Sequence, residues 1–111
     1  MNDIISVAFA NKELKEAYFE LEKGKFEEKQ LFTFIQRAIN DLKLNPVCGI
    51  RIPKKLWPKE YLVKYSTTNL WKYDLPDAWR LIYTIKGNNV EIICVILEWF
   101  NHKEYERRFH Y

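Results

Sequence analysis

The chain has 111 residues, is 48% hydrophobic and carries four tryptophans, a composition too apolar for a disordered segment. That length suits one domain spanning residues 1–111 that buries roughly two-thirds of its unfolded surface. A formal net charge of +3 is too mild to name a partner, no apolar run nears the roughly 18 residues that span a bilayer, and the start MNDIISVAFA lacks the basic lead of a signal peptide. A cytoplasmic protein without membrane contact is therefore expected.

Asp3 to Phe9 (DIISVAF) reads as a short strand from its β-branched content. From Asn11 the apolar period becomes helical, with Leu14, Ala17, Tyr18 and Leu21 on one stripe, Asn11 placed to cap the start and Gly24 to stop the end. A second helix is expected from Phe26 to Lys43, where Leu31, Phe34, Ile35, Ala38, Ile39 and Leu42 recur at i, i+3 and i+4. The connection is short, so the two helices should pack antiparallel. Asn45-Pro46 closes this region, and Pro53 and Pro58 interrupt the next stretch of chain. Ile50 to Ile52 reads as a brief strand, LWPKEYLVKYSTTN as irregular, and Asn69 to Tyr73 as the return of regular strands.

Two further runs, Trp79 to Ile85 and Val90 to Trp99, are rich in β-branched and aromatic residues and form a hairpin about Lys86-Gly87-Asn88-Asn89, residues that tolerate positive φ. In the second run Val90, Ile92, Cys94 and Ile96 alternate with Ile93, Val95 and Leu97, so both faces are apolar and the strand belongs inside a sheet. Strict alternation carries Glu98 on the Cys94 and Ile96 face. In the first run Arg80 shares a face with Ile82 and Thr84, opposite Trp79, Leu81 and Tyr83. The expected fold is α+β: an N-terminal strand, then two antiparallel helices packed on one face of a mainly antiparallel four-stranded sheet, with the other face exposed and suited to Arg80 and Glu98.

Charge is unevenly spread. Residues 10–43 hold seven basic and seven acidic side chains, whereas residues 51–72 hold six basic residues against Glu60 alone. Interleaved with Trp57, Tyr61, Tyr65 and Trp71, this is either the mixture that suits single-stranded nucleic acid or a lysine-rich solvated face beside core aromatics. Cys48 and Cys94 have no short spacing, and Cys94 fits a reduced core position. His102 and His110 are the only histidines and the carboxylates are scattered, so neither a metal nor another cofactor is expected.

Chemistry that needs only side chains remains. RNA cleavage by its own 2′-hydroxyl requires a base, cations to stabilise charge growing on phosphorus, and an acid for the departing 5′-oxygen. Glu98 or His102 suits the base, Arg80 and a lysine the cations, and Tyr105 or His102 the acid. Each has a plainer role: Arg80 as an ion-pair partner of Glu98, His102 as a loop residue, Tyr105 with Phe109 as a C-terminal core plug, and Lys54 and Lys55 as a solvated turn.

Taken together, the strand-helix-helix-strand-strand-strand order, the segment LWKYDLPDAWRLIYTI and the closing His102-Lys103-Glu104-Tyr105 resemble the RelE/ParE superfamily of toxins from type II toxin-antitoxin modules, the RelE-like branch above all. The resemblance implies a metal-independent endoribonuclease, an mRNA interferase that inhibits translation by cutting messenger RNA in the ribosomal A site. It also implies a cognate antitoxin that wraps the toxin, with a homodimer or a toxin-antitoxin hetero-oligomer as the assembly. The family's strand arginine falls on Arg80, and its C-terminal histidine and tyrosine on His102 and Tyr105. Lys54, Lys55, Lys64 and Lys72, with Lys103 and Arg107, are the candidates for RNA binding. This chain is less basic than the family pattern, and its connector from Val47 to Thr68 is longer and richer in proline. Two other readings stay open: a ParE-like inhibitor of DNA gyrase, which needs no acid-base residues, and a non-catalytic relative that binds RNA or protein.

Overall fold

In the computed structural model, which describes residues 4–88 and 90–109, five strands and four helices occur in the order β1 (Ile4–Phe9), α1 (Lys12–Glu22), α2 (Phe26–Leu44), β2 (Ile50–Arg51), α3 (Lys59–Tyr65), β3 (Trp71–Asp74), β4 (Arg80–Gly87), β5 (Glu91–Phe100) and α4 (His102–Phe109). Asp3, Asn89 and His110 lie outside the described residues. The class is α+β, but the sheet has five strands in the order β1-β5-β4-β3-β2 and is mixed, because β1 runs parallel to β5 while the other pairs are antiparallel.

Local signals account for much of this. The Asn11 side chain accepts the Leu14 backbone N–H at 2.8 Å and starts α1. In α2 the buried residues Leu31, Ile35, Ala38 and Leu42 keep the helical period, which lays them on the sheet against Leu81, Tyr83, Cys94 and Ile96. Of the α1 stripe only Tyr18 is buried, stacking on Phe32 of α2 at 4.6 Å, whereas Ala17 faces outward. Gly87 does not adopt positive φ. A Cβ there would stand 2.4 Å from the Glu91 carbonyl, so close strand approach is what requires glycine at the hairpin end.

The second face of the sheet is covered, contrary to expectation. Helix α3 forms within the stretch read as irregular, and α4 replaces the expected C-terminal loop. Tyr61 of α3 with Tyr105 and Phe109 of α4 packs on Ile52, Leu70, Ile82, Leu97 and Phe100. The cause lies in β5, whose residues are apolar on both sides and would otherwise leave Leu97 and Phe100 in water. Within the basic connector Tyr61 is 1% exposed, while Trp57, Tyr65 and Trp71 are partly buried against the two cores. These rings therefore serve packing rather than an open stacking platform.

A bulge sets the parity at the end of β5. Ile82 pairs with Glu98 and Tyr83 with Ile96, so Leu97 is an extra residue on that strand. Glu98 moves from the α2 face to the α3 and α4 face, which it shares with Arg80 and Ile82.

Candidate functional site

Three elements converge where β3 and β4 meet the start of α4. Alternation along β3 points Trp71 and Tyr73 toward the α2 core and leaves Lys72 and Asp74 on the opposite face. Register then sets Lys72 beside Ile82 and Asp74 beside Arg80. The connection between these strands is tight: the Leu75 N–H donates to the Trp79 carbonyl at 2.9 Å, and Asp77 and Ala78 both lie in the left-handed region, at φ 59 and 63°. Ala78 has no side-chain group to compensate that conformation, so backbone strain sits two residues before Arg80, which begins β4.

Arg80 is 16% exposed and its guanidinium is held on three sides. Its Nε lies 3.1 Å from Asp74 Oδ1, an Nη donates to the Trp79 carbonyl at 3.1 Å, and the other Nη stands 3.4 Å from His102 Nδ1. Lys72, 18% exposed, places Nζ 3.5 Å from the same Asp74 oxygen. Both cations lie over the ring of Tyr105, with centroid distances of 5.4 Å for Lys72 and 5.8 Å for Arg80. Such contacts are worth about 0.5–2 kcal/mol and hold the cations at fixed positions.

His102 opens α4, whose start is capped by the Asn101 side chain accepting the Glu104 N–H at 2.9 Å. Its Nε2 lies 2.6 Å from Glu106 Oε1 and both side chains are half-exposed. A guanidinium only donates, so Nδ1 is the acceptor wherever the contact with Arg80 is a hydrogen bond, and Nε2 is the nitrogen that faces Glu106. The arrangement is an imidazole oriented by a carboxylate, with its lone pair turned toward a cation.

Glu98 belongs to a different cluster. Although it shares a sheet face with Arg80, its carboxylate accepts the Tyr61 hydroxyl and lies 3.3 Å from the Arg108 guanidinium. Arg108 also reaches Glu104 at 3.0 Å and Glu60 at 3.9 Å, so Glu98 ties α3 and α4 to β5. The expected Arg80–Glu98 pair is replaced by Arg80–Asp74, because register sets Asp74 directly opposite Arg80 and Glu98 one step diagonal. Lys54 and Lys55 are exposed in a short 3-10 turn. Lys64 lies 5.3 Å over its neighbour Tyr65, Lys103 faces solvent, and Arg107 pairs with Glu104 beside a cleft of about 370 Å³ lined also by Pro58 and Lys59. Of the six candidate RNA-binding residues, Lys72 joins the Arg80 cluster through Asp74 and Tyr105.

Asp74 and Glu106 escaped sequence reading. Glu106 carried a signal, the i, i+4 spacing from His102, visible once 102–109 is read as a helix from Asn101 and the i, i+4 pair Tyr105 and Phe109. Asp74 carried none, since its role depends on strand register.

Burial first, and then the Glu98 carboxylate, push the Tyr61 phenol far above its ordinary value of 10.0. Burial and Asp41 push Tyr73 up to about 12, and burial pushes the Cys94 thiol up to about 11. The native state holds these protons more tightly than the unfolded chain, so their stabilisation is complete below the unfolded values and is lost as pH rises through the folded ones. Denaturant midpoints are expected to be level near neutrality and to fall above about pH 9–10, where unfolded thiols and phenols ionise. Tyr61→Phe should flatten that fall, and equal alkaline slopes in the two proteins would exclude the tyrosine as its source.

Among the described residues no helix is long and apolar enough to cross a membrane, and no group of three or more His, Cys, Asp or Glu side chains is placed to hold a metal ion. Comparison with family models, curated proteins and solved structures returns no match.

Proposed function

We propose that this chain is a RelE-like toxin domain, a metal-independent endoribonuclease that cuts messenger RNA during translation and is neutralised by a cognate antitoxin. The observation that carries the reading is the cluster at the β3, β4 and α4 ends: two cations fixed over Tyr105, with a carboxylate-oriented imidazole 3.4 Å from one of them. The run of one strand and two helices ahead of an antiparallel meander, β2 to β5, supports it as well, although α3 and α4 are added to that order.

In this reading Arg80 and Lys72 receive the scissile phosphate and offset the negative charge that grows on it. As Arg80 turns its Nη from His102 to the phosphate, Nδ1 is freed to take the proton of the 2′-hydroxyl, and the 2′-oxygen attacks phosphorus to form a 2′,3′-cyclic phosphate. The 5′-oxygen leaves with a proton, which the imidazolium can return. Glu106 keeps the ring oriented throughout. Tyr105, 3% exposed, acts through its ring face as the support for both cations, and Glu98 is a structural clamp rather than the base.

The test is primer extension on a reporter message in an in vitro translation reaction. New 5′ ends within codons, dependent on ribosomes, are expected with the wild-type protein. His102→Ala should lower their rate by about 10²–10⁴-fold, the usual contribution of a proton-transfer group. An intact message with folded protein present would overturn the nuclease reading, and inhibition of gyrase would then identify a ParE-like activity.

A further inference from the structure

The Lys72–Arg80 pair is already occupied by an anion from its own chain. A single oxygen, Asp74 Oδ1, lies 3.5 Å from Lys72 Nζ and 3.1 Å from Arg80 Nε. The two cations are mostly buried, while Asp74 is 45% exposed. The fixed part of this arrangement is therefore the cationic seat over Tyr105, and the free part is the carboxylate, which has open solvent into which to turn.

We infer that Asp74 is a resident stand-in for a phosphodiester oxygen, one that RNA must displace from the Lys72–Arg80 seat before cleavage. This rests on the nuclease reading above and adds a regulatory element to it. Charge balance supports the exchange. With Asp74 in place the two cations carry a net single positive charge; with Asp74 turned out they carry two, matching the two negative charges of the phosphorane formed when the deprotonated 2′-oxygen adds to a phosphodiester. The occupied seat also avoids leaving two desolvated cations side by side with no counter-charge in the free protein. Arg80 meanwhile stays aligned by the Trp79 carbonyl, so displacement of Asp74 does not release the guanidinium.

The competing account makes Asp74 a positioning residue that aims Arg80, and the two predict opposite signs. The probe is a labelled single-stranded RNA with 2′-O-methyl groups throughout, which binds and cannot be cut. Its affinity is read by fluorescence anisotropy over a range of salt concentrations for the wild type, Asp74→Asn, Asp74→Ala and Asp77→Asn. The last is a control: Asp77 is exposed in the same connection, and its replacement changes net charge equally.

Both Asp74 variants should bind about tenfold more tightly at each salt concentration, with a similar slope of log affinity against log salt, because the same phosphates are contacted once the seat is open. Asp77→Asn should match the wild type within about twofold, as expected for an exposed charge screened by solvent. Unchanged or weaker binding by either folded Asp74 variant would overturn the inference, as would equal tightening by Asp77→Asn. The nuclease reading fails separately. Tighter binding by the Asp74 variants without message cleavage leaves the seat standing on a non-catalytic RNA binder, and cleavage without tightening leaves a nuclease whose Asp74 only positions.

Discussion

Arg80→Ala is expected to reduce message cleavage by at least about 10²–10³-fold, the cost of removing one preorganised donor from a developing negative charge. Its effect on folding should be far smaller. The side chain gives up one ion pair with the half-exposed Asp74, one bond to the Trp79 carbonyl and its place over Tyr105. Arg80 is mostly buried but Asp74 is half-exposed, so after solvent screening those contacts sum to about 1–2 kcal/mol, or roughly 4–16 °C in melting temperature. Arg80→Lys should recover little cleavage, because an ammonium cannot serve Asp74, the carbonyl and His102 with a planar fork. Primer extension beside a thermal melt checks both halves. Wild-type cleavage by the alanine variant, or collapse of its fold, would remove Arg80 from the reaction.

Glu98→Ala should behave in the reverse way. The change leaves the Tyr61 hydroxyl, on a side chain 1% exposed, without its carboxylate, and deprives Arg108 of the contact that draws α4 toward β5. Glu98 itself is 19% exposed and Arg108 31%, so the loss is less than for a fully buried pair: about 2 kcal/mol, equivalent to a fall of roughly 10 °C. The fraction that remains folded at low temperature should still cut RNA, since the Lys72, Arg80 and His102 contacts do not pass through Glu98. Cleavage rates corrected for the folded fraction decide it. A loss as deep as that of Arg80→Ala, in protein that is fully folded, would restore Glu98 as the base.

These two residues mark how far local pattern reaches in this chain. Arg80 is legible in the sequence because a cation inside an apolar, β-branched run is costly unless it has a role, and its face follows from simple alternation with Ile82. Glu98 does share that face with Arg80, as expected, but it gets there through the extra residue Leu97, which shifts the parity of the end of β5. Nothing in VEIICVILEW marks the bulge. His102 and Tyr105 are recognisable, but as members of a loop. The seven-residue α3 and the eight-residue α4 are too short for a sustained apolar period, and helices of that length are marginal in water until a core receives one face. Their existence depends on the sheet beneath them.

By itself the sequence determined the α+β class, the two long apolar stripes, the capped start of the first helix, the hairpin between β4 and β5, and the place of the apolar strand β5 inside the sheet. These arise from periodicity and turn chemistry, which act over a few neighbouring residues. Tertiary structure alone decided that β1 lies parallel to β5, that the second face is roofed by α3 and α4, that Asp74 rather than Glu98 meets Arg80, and that Lys72 is the lysine beside it. Each of those outcomes depends on register between segments distant in the chain, where a shift of one residue turns a side chain to the opposite face.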